Sequence, residues 1–259
     1  MCDTMIELDH VSKAYYIERN RCRARIVLDD ISMTVGDNEF VCLIGPSGCG
    51  KTTVLNLIAG FEKPTMGIVS CSGEEIRGPS QQRGVVFQEY SLLPWLSVKS
   101  NVMLALECKK IPEHERDAIA TRALERVLMG EYADMRPNTL SGGMKQRVAI
   151  ARILAMDPDV MLMDEPFSAL DETTRSRLDS DIVKIWSEER KTVVFVTHII
   201  DEALRIATRI VLFSDSPGKI VKEWTLEAGS DRDLHSPRFV ELKKEISETM
   251  AASAKSHDL

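Results

Sequence analysis

Residues 45–52 have the amino-acid types and the spacing of a phosphate-binding loop. They read Gly-Pro-Ser-Gly-Cys-Gly-Lys-Thr, which fits the pattern G-x-x-x-x-G-K-T. Glycines let such a loop bend until its backbone N–H groups face an anion. Lys51 can then reach the β- and γ-phosphates of a nucleotide, and the Thr52 hydroxyl can ligate Mg²⁺. The candidate nucleotide-binding residues of this segment are Gly45, Pro46, Ser47, Gly48, Cys49, Gly50, Lys51, Thr52 and Thr53.

The sequence on either side predicts the elements that hold this loop. The apolar run 40–44 predicts a buried strand before it. Apolar residues at helical spacing follow the loop, with Gly60 as a stop signal, and predict a helix. The N-terminus of that helix adds roughly half a positive charge at the loop. We therefore favour a nucleotide site over a glycine-rich turn that fits the pattern by chance.

A second apolar run, at 160–163, ends in two carboxylates, Asp164 and Glu165. In phosphate-loop enzymes such a strand lies beside the loop, and its aspartate holds Mg²⁺. Glu165, one residue further on, is placed to polarise an attacking water. The alternative for an isolated Asp-Glu pair is a solvated strand end, but the phosphate loop favours the functional interpretation.

The segment 140–146 reads Leu-Ser-Gly-Gly-Met-Lys-Gln. Ser141 is a good helix N-cap, and Gly142 and Gly143 after it leave backbone N–H groups exposed. Taken alone, Ser-Gly-Gly is a common turn. Together with the phosphate loop and the two carboxylates, it points to a nucleotide-handling protein.

Composition narrows the class of protein. The chain has 259 residues, 44% of them hydrophobic, and a formal net charge of -7, which argues against a dominant nucleic-acid surface. No apolar stretch approaches the ~18 residues of a membrane span, and the N-terminus lacks a secretory signal, so we expect a cytosolic chain. The six cysteines are scattered, which predicts no disulfide framework or metal cluster. Cys49 has two interpretations, an oxidisable thiol in the loop or a small filler residue.

Apolar runs at 84–88, 160–163, 193–196 and 210–213 alternate with helical patterns. This alternation predicts an α/β fold with a mostly parallel sheet. Strands with turns are predicted in the first 40 residues, and a helix is predicted at 147–156. The basic segment 18–25 is interpreted as a solvated hairpin loop rather than a site for phosphate or lipid. The polar tail is expected to fray over its last dozen residues.

Together these motifs resemble an ATP-binding-cassette (ABC) ATPase, and the resemblance extends from about residue 5 to 225. They occur in the family's order: GPSGCGKT at 45–52, Gln88, LSGGMKQR at 140–147, MLMDEP at 161–166, SALD at 168–171 and His198. The resemblance implies an α/β P-loop NTPase fold, with a mostly parallel sheet core, an antiparallel β edge and an inserted helical subdomain. It places an ABC ATPase domain at 1–228, the helical subdomain at about 92–155, and the polar tail at 229–259.

The resemblance also implies a site shared by two copies of the chain. In the family, two subunits dimerise head to tail, and each ATP lies between the phosphate loop of one subunit and the Ser-Gly-Gly of the other. Carried over, Ser141, Gly142 and Gly143 contact the γ-phosphate bound by the partner chain. Asp171 reaches across the dimer and couples the two sites.

Further roles follow residue by residue from the same resemblance. Gln88 senses Mg²⁺ and the water, and His198 hydrogen-bonds the γ-phosphate and holds it against Glu165. Tyr15 stacks on the adenine, with Tyr16 as the alternative. The implied catalytic residues are Glu165, His198, Lys51 and Gln88, and the implied Mg²⁺ residues are Thr52, Gln88 and Asp164. The expected cofactors are ATP and Mg²⁺.

Three classes of cassette protein remain: an importer subunit, a soluble ATPase acting on ribosomes or DNA, and an exporter subunit. A single cassette without a long coiled coil or membrane spans favours a separate ATPase that docks on permease subunits. Apolar residues at 90–96 suit such a docking surface, with packing inside the helical subdomain as the alternative. Stretches including 216–220 and 235–237 resemble the nitrate/sulfonate/taurine importer branch. The expected setting is the cytoplasmic face of the cell's inner membrane, with a homodimer, a permease, an indirectly engaged solute-binding protein and no nucleic acid.

Overall fold

The computed structural model describes residues 4–16, 24–168, 171–189, 191–227 and 232–255. They form two compact units. One unit contains the described residues before position 81 and after position 190, and the other contains those from 81 to 189. Most of the basic segment 18–25, the middle of SALD at 169–170, and parts of the tail lie outside the described residues.

The first unit begins with an antiparallel sheet. Its strands are β1 (Thr4–Tyr16), β2 (Ala24–Gly36), β4 (Met66–Cys71) and β5 (Glu74–Glu75), in the order β2-β1-β4-β5. Alternate residues Ile6 and Leu8 of β1 are almost completely buried, which is the pattern of a strand with one face on the core. The strands predicted in the first 40 residues are confirmed.

The second sheet of this unit carries the phosphate loop. Its strands are β3 (Phe40–Ile44), β8 (Thr192–Val196), β9 (Arg209–Phe213) and β10 (Ile220–Thr225). Strand β3 pairs in parallel with both β8 and β9, and β10 pairs antiparallel with β9. Every residue of β3 and β8 is buried, as expected for parallel strands covered on both faces.

The described part of this unit contains the helices α1 (Lys51–Ala59), α6 (Ile200–Ile206) and α7 (Pro237–Lys255). Helix α1 ends as predicted at Gly60, whose left-handed backbone lets its N–H donate to the carbonyls of Asn56 and Leu57. Helix α7 was not predicted. It buries Ile246 completely, and Trp224 Nε1 donates to Glu245 Oε1 at 3.0 Å. The expectation of fraying is therefore wrong as far as Lys255, because the polar tail has an apolar stripe.

The second unit combines a parallel strand pair with helices. Strands β6 (Arg83–Val86) and β7 (Val160–Asp164) pair in parallel, and the helices are α2 (Val98–Cys108), α3 (Glu113–Arg126), α4 (Gly142–Met156) and α5 (Glu172–Glu189). Helices α2, α3 and α4 pack against one another. Two boundaries differ from prediction: β6 ends before Gln88, and α4 begins at Gly142 because Ser141 caps it. None of the described helices is long and apolar enough to span a bilayer.

Candidate nucleotide site

The phosphate loop has one side against the protein and one side open. Gly45, Cys49 and Gly50 are buried, whereas Ser47 and Gly48 are exposed. All three of its glycines have positive φ angles, 148°, 82° and 101° for positions 45, 48 and 50, which explains their residue type. A Cβ added at Gly48 would meet no atom within 4 Å, so the open side has room for an anion.

Lys51 is the first residue of α1 and lies inside the curve of the loop. Only 5% of it is exposed. Its ammonium group donates to the carbonyls of Gly45 at 2.9 Å and Pro46 at 2.8 Å. Thr52 beside it is exposed and Thr53 is buried. The loop thus combines a cation, a hydroxyl and a helix N-terminus, which is the chemistry that a nucleotide phosphate needs.

Burial decides between the two interpretations of Cys49. The residue is completely buried, and desolvation raises the pKa of its thiol, although the nearby Lys51 ammonium opposes the shift. A thiol that stays protonated is a poor nucleophile. The structure therefore favours the filler interpretation over oxidation.

His198 lies at the same edge of the sheet as the loop. Strands β3 and β8 are parallel neighbours, and the Thr197 N–H donates to the Leu43 carbonyl at 3.2 Å. The loop follows β3 and His198 follows β8, so both leave carboxyl ends of adjacent strands, where ligands of α/β sheets bind. His198 is exposed. Thr197 fixes its turn, because its hydroxyl accepts the Ile199 N–H at 3.0 Å.

Tyr15 is tied to the end of α1, and Tyr16 is more open. The Tyr15 hydroxyl donates to Glu62 Oε2 at 2.5 Å, and Asn56 Nδ2 donates to Glu62 Oε1 at 3.2 Å. Lys13 Nζ lies 3.0 Å from Glu62 Oε2 and 4.9 Å from the Tyr15 ring centre. Burial raises the pKa of the Tyr15 phenol, and the Glu62 carboxylate adds to the shift. Exposed fractions are 38% for Tyr15 and 59% for Tyr16.

In the second unit, Ser168 links Gln88 to the predicted catalytic glutamate. Gln88 Nε2 donates to Ser168 Oγ at 3.2 Å, and Ser168 Oγ donates to the Glu165 carbonyl at 3.0 Å. Glu165 has φ 42°, a left-handed conformation that costs a glutamate about 1 kcal/mol or more. Ser168 was predicted only as the first residue of SALD and without a role, although its place four residues after Asp164 was a possible signal.

The remaining predicted residues also belong to this unit. Ser141 is exposed, and its side chain accepts the Met144 N–H at 3.3 Å, so it caps α4 as predicted. Gly143 is buried and Gly142 partly so. Asp171 is exposed, and its carbonyl accepts the Arg175 N–H at 2.9 Å. Asp164 ends β7 and is partly buried.

Among the described residues, no three His, Cys, Asp or Glu side chains cluster as a metal site. That finding is compatible with Mg²⁺, which proteins often bind through one or two residues plus substrate phosphates.

Comparison with known proteins decides the family. The sequence profile described as "ABC transporter" matches residues 28–168. The chain belongs to the ABC transporter family. ATP-binding proteins of this family are ATPases, so this chain is an ABC ATPase.

Relatives agree with this assignment over most of the chain. An uncharacterized ABC transporter ATP-binding protein, MJ0412 of Methanocaldococcus jannaschii, is 46% identical and is matched over 93% of this chain and 89% of its own. The nitrate import ATP-binding protein NrtD of Synechococcus elongatus is 43% identical, with 85% and 83% covered. The taurine import ATP-binding protein TauB of a Jannaschia species is 42% identical, with 85% and 84% covered.

Solved structures give the same answer for the fold. The bacterial ABC transporter cassette MJ0796, in its dimeric structure, has a TM-score of 0.76 and 35% identity, covering 87% of this chain and 100% of that one. A second dimeric structure of it, bound to ADP and Pi, has a TM-score of 0.75 and 33% identity over the same shares. The predicted P-loop NTPase fold of the ABC type is therefore confirmed.

Proposed function

We propose that this chain is the ATPase subunit of an importer and drives solute uptake through a separate membrane permease. It works as a head-to-tail homodimer that hydrolyses MgATP, peripheral to the cytoplasmic face of the membrane. The observation that carries the proposal is the coexistence of a complete phosphate loop in one unit and an open, partly apolar groove in the other. An ATPase that moves a partner needs both surfaces.

The nucleotide would be held by the loop and completed by groups from elsewhere in the dimer. The backbone N–H groups and Lys51 bind phosphates, and Tyr15 stacks on the adenine. When bound, Mg²⁺ would supply positive charge to the phosphates, and Thr52, Gln88 and Asp164 are the residues that would hold it. Ser141, Gly142 and Gly143 would close the site on the partner's nucleotide. Asp171 would couple the two sites.

The chemical step rests on positioning and on one base. Glu165 orients the attacking water and takes up its proton, since its carboxylate follows the buried strand β7. Its backbone is fixed by Ser168, which also receives the Gln88 amide. His198 donates to the γ-phosphate. Because phosphoryl transfer depends mainly on alignment and charge stabilisation, fixed backbones at these residues matter.

The docking surface is a groove of about 750 Å³ in the second unit. It is lined by Gln88, Glu89, Tyr90, Ser91, Leu92, Pro94, Pro137, Asn138 and Lys145. Trp95, which follows the lining residue Pro94 in the chain, is 66% exposed. An exposed apolar rim of this kind marks a protein contact. It would accept a segment of the permease, and Lys145 would favour an acidic group on that segment.

The backbone of residues 90–97 is fixed in a way that keeps these side chains available. Arg152 donates to the carbonyls of Ser91 at 2.6 Å and Tyr90 at 3.3 Å. Asn101, which is 1% exposed, accepts the Leu93 N–H at 2.7 Å and donates to the Ser97 carbonyl at 2.9 Å. Packing thus uses the main chain of the segment and supports a docking role for its side chains.

The solute class is proposed from the relatives alone. NrtD and TauB carry the names of nitrate and taurine importers, which supports uptake of a small anion or zwitterion. Selection of the solute would belong to the permease and its binding protein.

A capture experiment tests the proposal. Tagged Glu165→Gln protein is loaded with MgATP and mixed with detergent-solubilised membranes of the source cells, and bound chains are identified by mass spectrometry. We expect a multi-span permease in stoichiometric amount, and we expect it to be lost when Leu92→Asp is added to the same bait. Ribosomal or DNA-bound proteins without a permease would instead assign the chain to the soluble ABC ATPases.

A further inference from the structure

The phosphate loop rests on a turn that is distant from it in sequence. The turn joins β9 to β10, from Ser214 to Lys219. The Gly218 N–H donates to the Val27 carbonyl at 2.8 Å, and the Asp29 N–H donates to the Gly218 carbonyl at 3.1 Å. Gly218 is therefore bonded on both sides to strand β2, and its position relative to that strand is fixed.

Gly218 lies against the back of the phosphate loop. A Cβ added to it would be 2.0 Å from the Cys49 carbonyl oxygen, well inside the 3.0 Å that real Cβ contacts respect. The same hairpin touches the start of the loop, because a Cβ on Gly45 would be 2.8 Å from the Phe213 carbonyl oxygen. Strand β2 contacts the end of the phosphate loop, since a Cβ on Gly50 would be 2.6 Å from Leu28 Cδ2. The loop is thus supported at three points.

The turn itself is braced by Ser214. The Ser214 N–H donates to the Lys219 carbonyl at 2.8 Å. Its hydroxyl accepts the Lys219 N–H at 2.9 Å and lies 3.2 Å from the Pro217 carbonyl. Lys219 Nζ also pairs with Asp29 Oδ2 of strand β2 at 2.8 Å, but both side chains are open to water. The bonds of Ser214, together with the two backbone bonds to strand β2, therefore fix the position of Gly218, and the surface ion pair adds little.

We propose that Gly218 is a positioning residue for ATP, and that the β9–β10 turn supports the phosphate loop and fixes its curvature. Gly218 touches no nucleotide in this arrangement. It acts through the Cys49 peptide, whose neighbours supply the loop's N–H groups. This inference rests on the proposal that residues 45–52 bind the phosphates of ATP.

The residue type follows from the contact and not from the backbone angle. Gly218 does not have a left-handed backbone, in contrast to the loop glycines. Alanine is therefore conformationally acceptable there, and its only fault is the methyl group against Cys49. Gly218→Ala is for this reason a clean steric probe, and its methyl must push the loop peptide away.

The test measures the affinity for ATP and ADP by titration with a fluorescent nucleotide, together with kcat and KM for hydrolysis. We expect Gly218→Ala to weaken both affinities at least tenfold, and to raise KM more than it lowers kcat, because a displaced loop loses ground-state binding. Gly78→Ala is the matched control. Gly78 lies in the same unit, has no left-handed backbone, and has no atom within 4 Å of an added Cβ, so wild-type constants are expected.

Ser214→Ala keeps the proposal testable even if Gly218→Ala does not fold. It loosens the turn without adding an atom, and we expect KM for ATP to rise about threefold with kcat nearly constant. Wild-type affinity for ATP and ADP in folded Gly218→Ala would overturn the proposal that the turn positions the loop. If that variant does not fold, wild-type KM in Ser214→Ala overturns it. Failure of the underlying site has a different signature, since Lys51→Ala would then bind ATP normally.

Discussion

The phosphate loop and the segment 90–97 are held in opposite ways. The loop is fixed by close packing at glycines: Gly45 and Gly218 each let two stretches of backbone approach, and Gly50 lies against the Leu28 side chain. Segment 90–97 is fixed by two side chains that bond its main chain, the buried Asn101 and the partly buried Arg152. The loop offers N–H groups to a ligand, and the segment offers side chains.

This difference follows from what each surface must recognise. A phosphate is the same in every nucleotide, so a fixed arrangement of backbone donors suits it. A protein partner is recognised through the size and polarity of side chains, and these must be free to face outward. Mutations should therefore separate the two regions, and those that act on phosphate chemistry should have the largest effects.

Glu165→Gln tests the chemistry most severely. We expect hydrolysis to fall by about 10²–10⁴-fold because the amide cannot take a proton from the attacking water, while ATP binding persists. Phosphate release measures the rate. Light scattering in MgATP should give a dimer of twice the 29.0 kDa chain mass. Glu131→Gln, an exposed carboxylate elsewhere in the unit, should keep wild-type activity. Near-normal hydrolysis by Glu165→Gln would remove this residue from the mechanism.

Lys51→Ala tests the loop as a binding site. The variant removes a buried cation that stands inside the loop, so we expect ATP affinity to fall about 100-fold, within the range for hydrogen bonds to charged groups. A fluorescent-nucleotide titration measures it. Lys145→Ala is the control, since it removes a cation from the groove and should leave the affinity unchanged. Equal losses in the two variants would contradict the separation of the regions.

The sequence could predict the first region far better than the second. Residues 45–52 are a local pattern in which the glycines and their spacing predict the backbone conformation of the loop. The strand before the loop and the helix after it were predicted equally well from local patterns. The contacts of Gly218 and Arg152 could not be predicted from the sequence, because their partners lie far away along the chain. Arg152, for example, bonds a carbonyl 61 positions earlier. Helix α7 was missed since its buried Ile246 is surrounded by charged residues.

Asn101→Ala tests how the second region is held. It leaves the Leu93 N–H without its buried acceptor, so we expect the free energy of unfolding to fall by about 2 kcal/mol. Urea denaturation measures this. ATP affinity should stay at the wild-type value, and permease capture should be lost. Ser100→Ala, a neighbour on the same helix, should show smaller losses. A drop in ATP affinity with intact capture would reverse the assignment of the regions.

Tyr15→Ala and Tyr16→Ala decide which aromatic ring stacks on adenine. Loss of base stacking costs about 1–3 kcal/mol, so we expect ATP affinity to fall about tenfold in Tyr15→Ala and to change little in Tyr16→Ala. Tyr15→Phe keeps the ring and loses only the hydroxyl, which bonds Glu62, and it should bind nearly as wild type. The opposite ranking of the two alanine variants would transfer the stacking role to Tyr16.

Trp95→Ala should have the smallest effect on the isolated chain and a clear effect on the complex. Because 66% of the residue is exposed, its removal should change the free energy of unfolding by less than about 0.5 kcal/mol and leave kcat and KM unaltered. If its indole contacts the permease, capture by the Glu165→Gln bait should still fall severalfold, since buried aromatic anchors dominate protein interfaces. Leu128→Ala is the matched control, as 69% of Leu128 is exposed in the same unit outside the groove. Equal capture by both variants would move the docking surface away from Trp95, and a change in KM for ATP would mean that the segment also takes part in nucleotide binding.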